Sequence, residues 1–395
     1  MFDGEIRTVQ LFRDGQEASF PAISLKEQNS TQLLLQFDRL GNDVPEYTVH
    51  YRHCNSDWTP SNLPEIEYLK GMSGNPIRDF QSSLGTLNPY VHFEWRFPEQ
   101  GLRFQFSGNY IIEVRDRNTG EPVLWRKFVV FEDAMDVSPD LQFAASVRNR
   151  WRFQQVNFNV LPKSERVDNP RTQLKVAVLQ NFRWDNARVF EAPEYVYPNR
   201  FEYVLDAQNE FSGGNEFRLA DLRGTRTQIS PRVAGVSFAN DGTTLYLEPD
   251  QPRTFNNYFS ENDFNGQFYI RSRMSDRFDV EADYVYTHFR LQMSEPLAQE
   301  AVYVFGALSN WRAEPRFQMT WRSDKNWYEA RVLLKQGVYD YQYVVQQSDG
   351  SLDETRLEGS HAETENFYSF IVYYKGMMDR YERCVAVKHL NFYRQ

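Results

Sequence analysis

The sequence runs to 395 residues, 41% of them apolar and 25% charged, with a net charge of −10 and a pI near 5.3. That length is too great for one sandwich and fits two or three domains, and the charged fraction is that of a globular chain rather than a disordered one. The acidic balance excludes a nucleic-acid backbone or an anionic membrane surface as partner, and no run approaches the roughly 18 apolar residues that a spanning helix needs.

The unusual figure is 16% aromatic, with 31 Phe, 23 Tyr and 8 Trp. Such side chains suit half-buried pleated surfaces and also anchor interfaces. From the start of the chain, period-two alternation predicts strands at Leu33-Leu35-Phe37, Tyr47-Val49-Tyr51 and Tyr110-Ile112-Val114, closing on Lys127–Phe131. Gly41-Asn42-Asp43 and Asn118-Thr119-Gly120 supply turns, and only Leu63–Leu69 has the makings of a helical turn. These elements read as one β-sandwich over residues 1–133. A polar link then leads to Leu174-Val176-Val178, Phe201-Tyr203-Leu205, Leu245-Leu247 and Phe268-Ile270, with a hairpin at Asn240-Asp241-Gly242. They predict a middle sandwich over 134–279. The third region, 280–395, holds Tyr303–Phe305, Trp327–Leu333, Tyr339–Val345 and Phe367–Tyr374, with a turn at Ser348-Asp349-Gly350. No sequence repeat links the three regions. The expected fold is therefore all-β, with three tandem sandwiches.

The opening Met1-Phe2-Asp3-Gly4 has neither the basic nor the apolar segment of an export signal, which fits a cytoplasmic protein or one whose signal has been removed. Cys54 and Cys384 lie near opposite ends. A bridge would need the first and last domains to touch, and two buried free thiols are expected instead.

Catalytic motifs are missing: no Gly-x-Ser-x-Gly, P-loop, dinucleotide fingerprint, His-Glu-x-x-His or Cys-x-x-Cys. His50, His53, Cys54 and Asp57 are of zinc-ligating types. The alternation of Val49 and Tyr51, however, turns His50 outward with Arg52, and His53 and Asp57 read as loop-forming hydrogen-bond partners. No metal or cofactor is expected. Asp353, Glu354, Glu358, Glu363 and Glu365 include the residue types of a glycosidase pair. With nothing apolar beside them to raise a carboxyl pKa, they read as a solvated connection. The chain is read as a binding protein and not an enzyme.

Two resemblances sharpen that reading. Val302–Trp311, Trp327–Leu334 and Gly337–Val345 resemble the early-set, immunoglobulin-like module of glycogen-binding proteins, in which a Gly-x-x-x-x-Trp turn presents an indole. Trp311 keeps that place, but Gln342 stands where those modules usually carry a basic residue, and Ser351-Leu352-Asp353 offers no second Trp. The last domain is expected to be of early-set type with a vestigial glycan position at Trp311; carbohydrate recognition is the alternative function. The second resemblance spans the chain: Ile6–Phe12, His53–Pro60, Thr86–Tyr90, Ser107–Tyr110, Glu358–Asn366 and Val372–Tyr374. In this combination and order they resemble the type IX secretion system plug protein family of Bacteroidota. The resemblance implies a periplasmic protein, monomeric in isolation and peripheral to the outer membrane, its export signal removed. It would bind a giant outer-membrane β-barrel translocon and close its channel when idle. Trp58 and Tyr90 are the expected partner contacts, with Trp58 capping a core as the other reading.

Overall fold

Tyr47, Val49 and Tyr51 are buried and the residues between them are not, so the alternation seen in the sequence becomes an inward and an outward face. The structure, a computed structural model, describes residues 4–204 and 206–392. Leu205, expected to extend the Phe201–Tyr203 strand, lies outside the described residues, as do Met1, Phe2 and Asp3. Strand accounts for 48% and helix for 6%, so side chains on strands and loops must build any site. The expected helical turn is present at Glu65–Tyr68.

The first sandwich packs a four-stranded sheet, ordered Ile6–Arg13, Leu33–Leu40, Tyr90–Phe97, Asp79–Ser82, on a five-stranded one. The second sheet is ordered Ala22–Ser24, Pro122–Phe131, Gly108–Asp116, Tyr47–Cys54, Asn75–Pro76. Phe37, Phe93, Tyr47, Phe97, Phe104, Tyr110 and Phe128 fill its interior with ring-to-ring contacts. Fully burying each such side chain contributes about 1.5–3 kcal/mol, which puts the aromatic excess to structural use.

The remaining chain is not divided in tandem. Leu174–Gln180 pairs antiparallel with Asn366–Tyr374, which pairs with Arg383–Phe392. This sheet packs on Met135–Phe143, Phe153–Pro162, Arg200–Tyr203 and Tyr195–Tyr197 around Val156, Phe158, Val176, Phe370 and Val372. Residues 218–358 form a separate sandwich, with Gly337–Gln346 central in one sheet and Tyr284–Gln292 beside Trp327–Lys335 in the other. The expected boundary at 279/280 is thus corrected: the early-set-like sandwich is inserted into the middle one, and Phe367–Tyr374 returns to the sheet that Leu174 began. Alternation marks a strand but not its partner, and the true partner lies nearly two hundred residues away.

Asn366–Tyr374 is buried on both faces. Phe370 and Val372 enter the middle core, while Ile371 and Tyr373 meet Phe20, Ala22 and Val129 of the first sandwich. The chain crosses into and out of the insertion through adjacent segments, Ser212–Glu216 and Glu358–Asn366. His361 N donates to Gly214 O (2.8 Å), Asn215 Nδ2 to Glu358 O (2.8 Å) and Asn366 Nδ2 to Gly213 O (2.8 Å). A Cβ on Gly213 would lie 1.9 Å from the His361 carbonyl oxygen, so this crossing requires glycine.

Candidate functional site

Tyr90, expected to be an exposed anchor, is only 1% exposed. Its hydroxyl donates to Ala282 O (2.8 Å), and its ring lies edge-on to Tyr284 and under the Lys335 ammonium at 4.1 Å. The preceding turn is consumed by the same contact: Leu87 and Asn88 backbone N–H groups donate to Asp283, and Asn88 Nδ2 donates to Tyr284 O (2.6 Å). Beneath it Asp38 accepts from Lys335 Nζ (2.7 Å) and Tyr284 (2.7 Å), and His92 Nδ1 lies 2.7 Å from its other oxygen. Burial works against the imidazolium, but hydrogen bonds to Asp38 and Glu94 carry His92 up to about 9. Thr86–Tyr90 is therefore a stitch between the first and inserted sandwiches, and Tyr90 is corrected from partner contact to internal contact.

His53–Pro60 makes the corresponding stitch to the middle sandwich. His53 bonds Ser61 Oγ (2.8 Å) and Ser107 O (3.0 Å), while Asp57 accepts from Thr59. Ser56 N donates to Glu382 (2.7 Å), and Tyr373 donates to Asn109 Oδ1 (2.7 Å). Cys54 and Cys384 are free and buried, although Cys384 does reach the first sandwich, its N–H donating to Ser107 Oγ (3.1 Å). Among the described residues no group of three or more His, Cys, Asp or Glu is placed to hold a metal ion. Half-buried Trp58 stands edge-on to Trp184 of the middle sandwich at 4.6 Å, with Lys127 Nζ 4.3 Å from its ring centre. It is packed between two sandwiches, with part of its surface left open.

Beside Trp58 and Trp184 the three sandwiches leave a cleft of about 400 Å3. The first contributes Val9–Phe12 and Trp125–Lys127, the middle Phe182, Trp184 and Asp185, and the inserted one Asn310–Arg312. Trp311, the vestigial glycan position, lines it but is committed elsewhere. The Arg183 guanidinium lies 4.3 Å from its ring centre, and Phe217 and Phe305 pack against its edges. Gln342 is buried and donates to Glu354 (2.6 Å). The acid-rich connection is likewise not solvated as expected. Glu354 pairs with buried Arg183, and Glu358 accepts from Arg218 (2.9 Å) and Arg253 (2.8 Å) in the interior. The sequence hid these pairs because each acid's guanidinium lies more than a hundred residues away.

A third feature went unread. Phe255 is 98% exposed and Phe259 73%, on the irregular stretch after Asp250, and Trp151 is 63% exposed on a middle-sandwich loop. The two loops adjoin: Ala362 N donates to Trp151 O (3.0 Å), and the neighbouring His361 ring packs on Tyr258 at 5.7 Å. Apolar side chains gathered into one exposed patch mark an interaction surface, whereas single ones do not. The signal available in the sequence was a set of aromatics in Phe255-Asn-Asn-Tyr-Phe259 without strand alternation.

Against known proteins, the family model described as "Type 9 secretion system plug protein 1st domain" matches residues 6–132, the first sandwich. No curated protein matches the chain. A crystal structure of a hypothetical protein from Parabacteroides merdae ATCC 43184 superposes with a TM-score of 0.94 at 32% identity, covering 99% of this chain and 98% of that one. The C-terminal domain of the Streptococcus agalactiae AgI/II polypeptide BspA aligns over 96% of this chain and 99% of its own at 6% identity, but a TM-score of 0.14 conveys no likeness of fold. No helix among the described residues is long and apolar enough to cross a membrane. With its matched first sandwich, the chain belongs to the type IX secretion system plug protein family.

Proposed function

We propose that the protein is a non-enzymatic periplasmic plug that docks on the outer-membrane β-barrel translocon of the type IX secretion system and occludes its idle channel. Family membership supplies the system, and the geometry supports the role. Closing a wide pore needs a body that does not deform, and all three sandwiches meet through buried stitches instead of flexible linkers. Docking needs a desolvated aromatic centre, and the observation that carries the reading is the Phe255, Phe259 and Trp151 surface. Its backbone is tied to the inserted sandwich's return segment where Ala362 N donates to Trp151 O (3.0 Å).

The test is a triple variant, Trp151→Ser/Phe255→Ser/Phe259→Ser. It should unfold at the same temperature as the parent, because these rings are exposed, yet no longer co-purify with a large outer-membrane barrel. Truncating a hot-spot aromatic costs about 2 kcal/mol or more, and 1.4 kcal/mol is tenfold in affinity. A variant that keeps the barrel removes this surface from the reading. Unchanged permeability to large antibiotics in a deletion strain, with no barrel co-purifying, overturns the plug role itself.

A further inference from the structure

The cleft where the three sandwiches meet has features that docking does not explain. Its walls carry three cations, Arg126, Lys127 and Arg312, against one carboxylate, Asp185, which is already held by Arg183 at 2.6 Å. Arg126 is engaged with Val9 O (2.7 Å) and Asn310 Oδ1 (2.5 Å). Lys127 lies over the rings of Trp58 and Trp184, and Arg312 over Trp125 at 5.1 Å. No carboxylate pairs with either among the described residues. Burial, and then the charge of Arg312, pull the Lys127 ammonium down to about 8, as expected of a cation lacking a counter-ion.

Backbone conformation points to the same place. Three aromatic residues adopt positive φ, Trp58 (69°), Phe182 (62°) and Trp311 (56°), and all three line or flank this cleft. Bulky residues rarely adopt this conformation, and residues that do cluster at binding sites. Two strand edges also open into it. Val9 O accepts from Arg126, and Arg13 N donates to Ser19 Oγ (3.0 Å), so both residues turn their backbone away from the Leu33–Leu40 strand. By period two, Leu11 between them does the same. In the other sheet Val129 N donates to Pro21 O (3.0 Å), which turns Lys127, two residues earlier, outward as well.

We infer that this cleft binds an extended acidic peptide segment of another protein, its backbone added to an open strand edge and its carboxylates held by Lys127 and Arg312 between indole faces. Strand addition takes its affinity from main-chain hydrogen bonds and its selectivity from alternate side chains. Here the selecting groups are cationic and aromatic. The inference does not rest on the plug reading, since the cleft and the Phe255 surface share no residue.

The probe is a blocked hexapeptide alternating Asp and Val, titrated into the full chain with tryptophan fluorescence and calorimetry as readouts. Controls are the Asn and Val hexapeptide, the acidic peptide N-methylated on alternate backbone nitrogens, and succinate. Saturable binding of the acidic peptide is expected, at least tenfold weaker for the Asn control and for the N-methylated form. A Lys127→Gln/Arg312→Gln variant should lose binding at least tenfold while its near-ultraviolet circular dichroism stays that of the parent. No binding up to millimolar peptide overturns the inference. So does equal binding by succinate or the N-methylated peptide, which would make this an anion pocket without strand addition. Binding unchanged in a folded double variant places the ligand elsewhere and equally overturns it.

Discussion

Against the inserted sandwich, the first sandwich buries charge: Asp38, Lys335 and His92 are inside, with Tyr284 and Tyr90 completing their shell. Against the middle sandwich it buries carbon: Phe20, Ala22 and Val129 meet Ala177, Leu179, Ile371 and Tyr373, and the ion pair of Glu132 with Arg383 stays at the margin. The two seams hold one rigid body by different physics. An apolar seam gains from area, tolerates adjustment and is indifferent to pH. A buried ionic seam gains little from its charges overall but is intolerant of losing any one of them, so it fixes a single register. The residues that carry the family resemblance, Thr86–Tyr90 for one seam and His53–Pro60 with Ser107–Tyr110 for the other, are the stitches themselves.

The largest break in that comparison is Asp38→Asn. It leaves the Lys335 ammonium buried without a counter-charge, which costs about 3–5 kcal/mol. In denaturant the inserted sandwich should separate from the rest as a distinct transition, with the middle seam intact. The double variant Asp38→Asn/Lys335→Met, which removes both charges and keeps an amide oxygen at position 38 to accept a hydrogen bond, should recover most of the loss. A single variant within 1 kcal/mol of the parent would show that the clamp does not hold the seam.

A smaller effect comes from pH. His92 faces Asp38 on the neighbouring strand of its own sheet, Lys335 across the seam and Glu94 on its own strand. Its folded pKa, about 9, is raised above the ordinary imidazole value, so the folded state binds the proton more tightly than the unfolded one. The stability this contributes is complete below about pH 6.5 and is lost as pH rises through 9. At the acid end Glu94, lowered to about 2 chiefly by its hydrogen bond to His92, contributes stability that is present above its ordinary pKa and lost as pH falls through 2. Urea titrations at pH 6 and pH 9 should therefore differ for the parent, and the difference should shrink in His92→Gln. An equal difference in both proteins would assign the slope to other groups.

Strands, turns and the all-β class were legible because alternation and turn chemistry are local. Asn240-Asp241-Gly242 is a hairpin where expected, with Ala239 opposite Gly242. Partnership was not legible. Nothing within Phe367–Tyr374 says that it pairs with Leu174–Gln180, and nothing near Glu358 announces Arg218. The same limit explains the site. Trp58 and Tyr90 were recognisable as special, but an aromatic in a motif loop reads alike whether it faces a partner or a neighbouring sandwich. The cleft could not be read at all, because its walls come from stretches of three different sandwiches that are far apart in the chain.

The smallest prediction sharpens the comparison from the apolar side. Tyr373 belongs to the carbon-rich seam, yet its hydroxyl donates to Asn109 Oδ1 at 2.7 Å, and Asn109 Nδ2 donates in turn to Asn55 O at 3.0 Å. Tyr373→Phe keeps the ring, and so keeps the buried area, but strands one buried acceptor. The cost should be about 1–2 kcal/mol, the range for an unsatisfied neutral group, well below that of the unpaired Lys335 charge. Burial holds the Tyr373 phenol well above its ordinary pKa, so its proton does not leave at any pH where the protein is studied. The loss should accordingly be the same at pH 6 and pH 9, while the effect of His92→Gln differs between them. If Tyr373→Phe instead became costlier at one of those pH values, the two seams would be coupled through the first sandwich, and their separation into a charge-held and a carbon-held contact would fail.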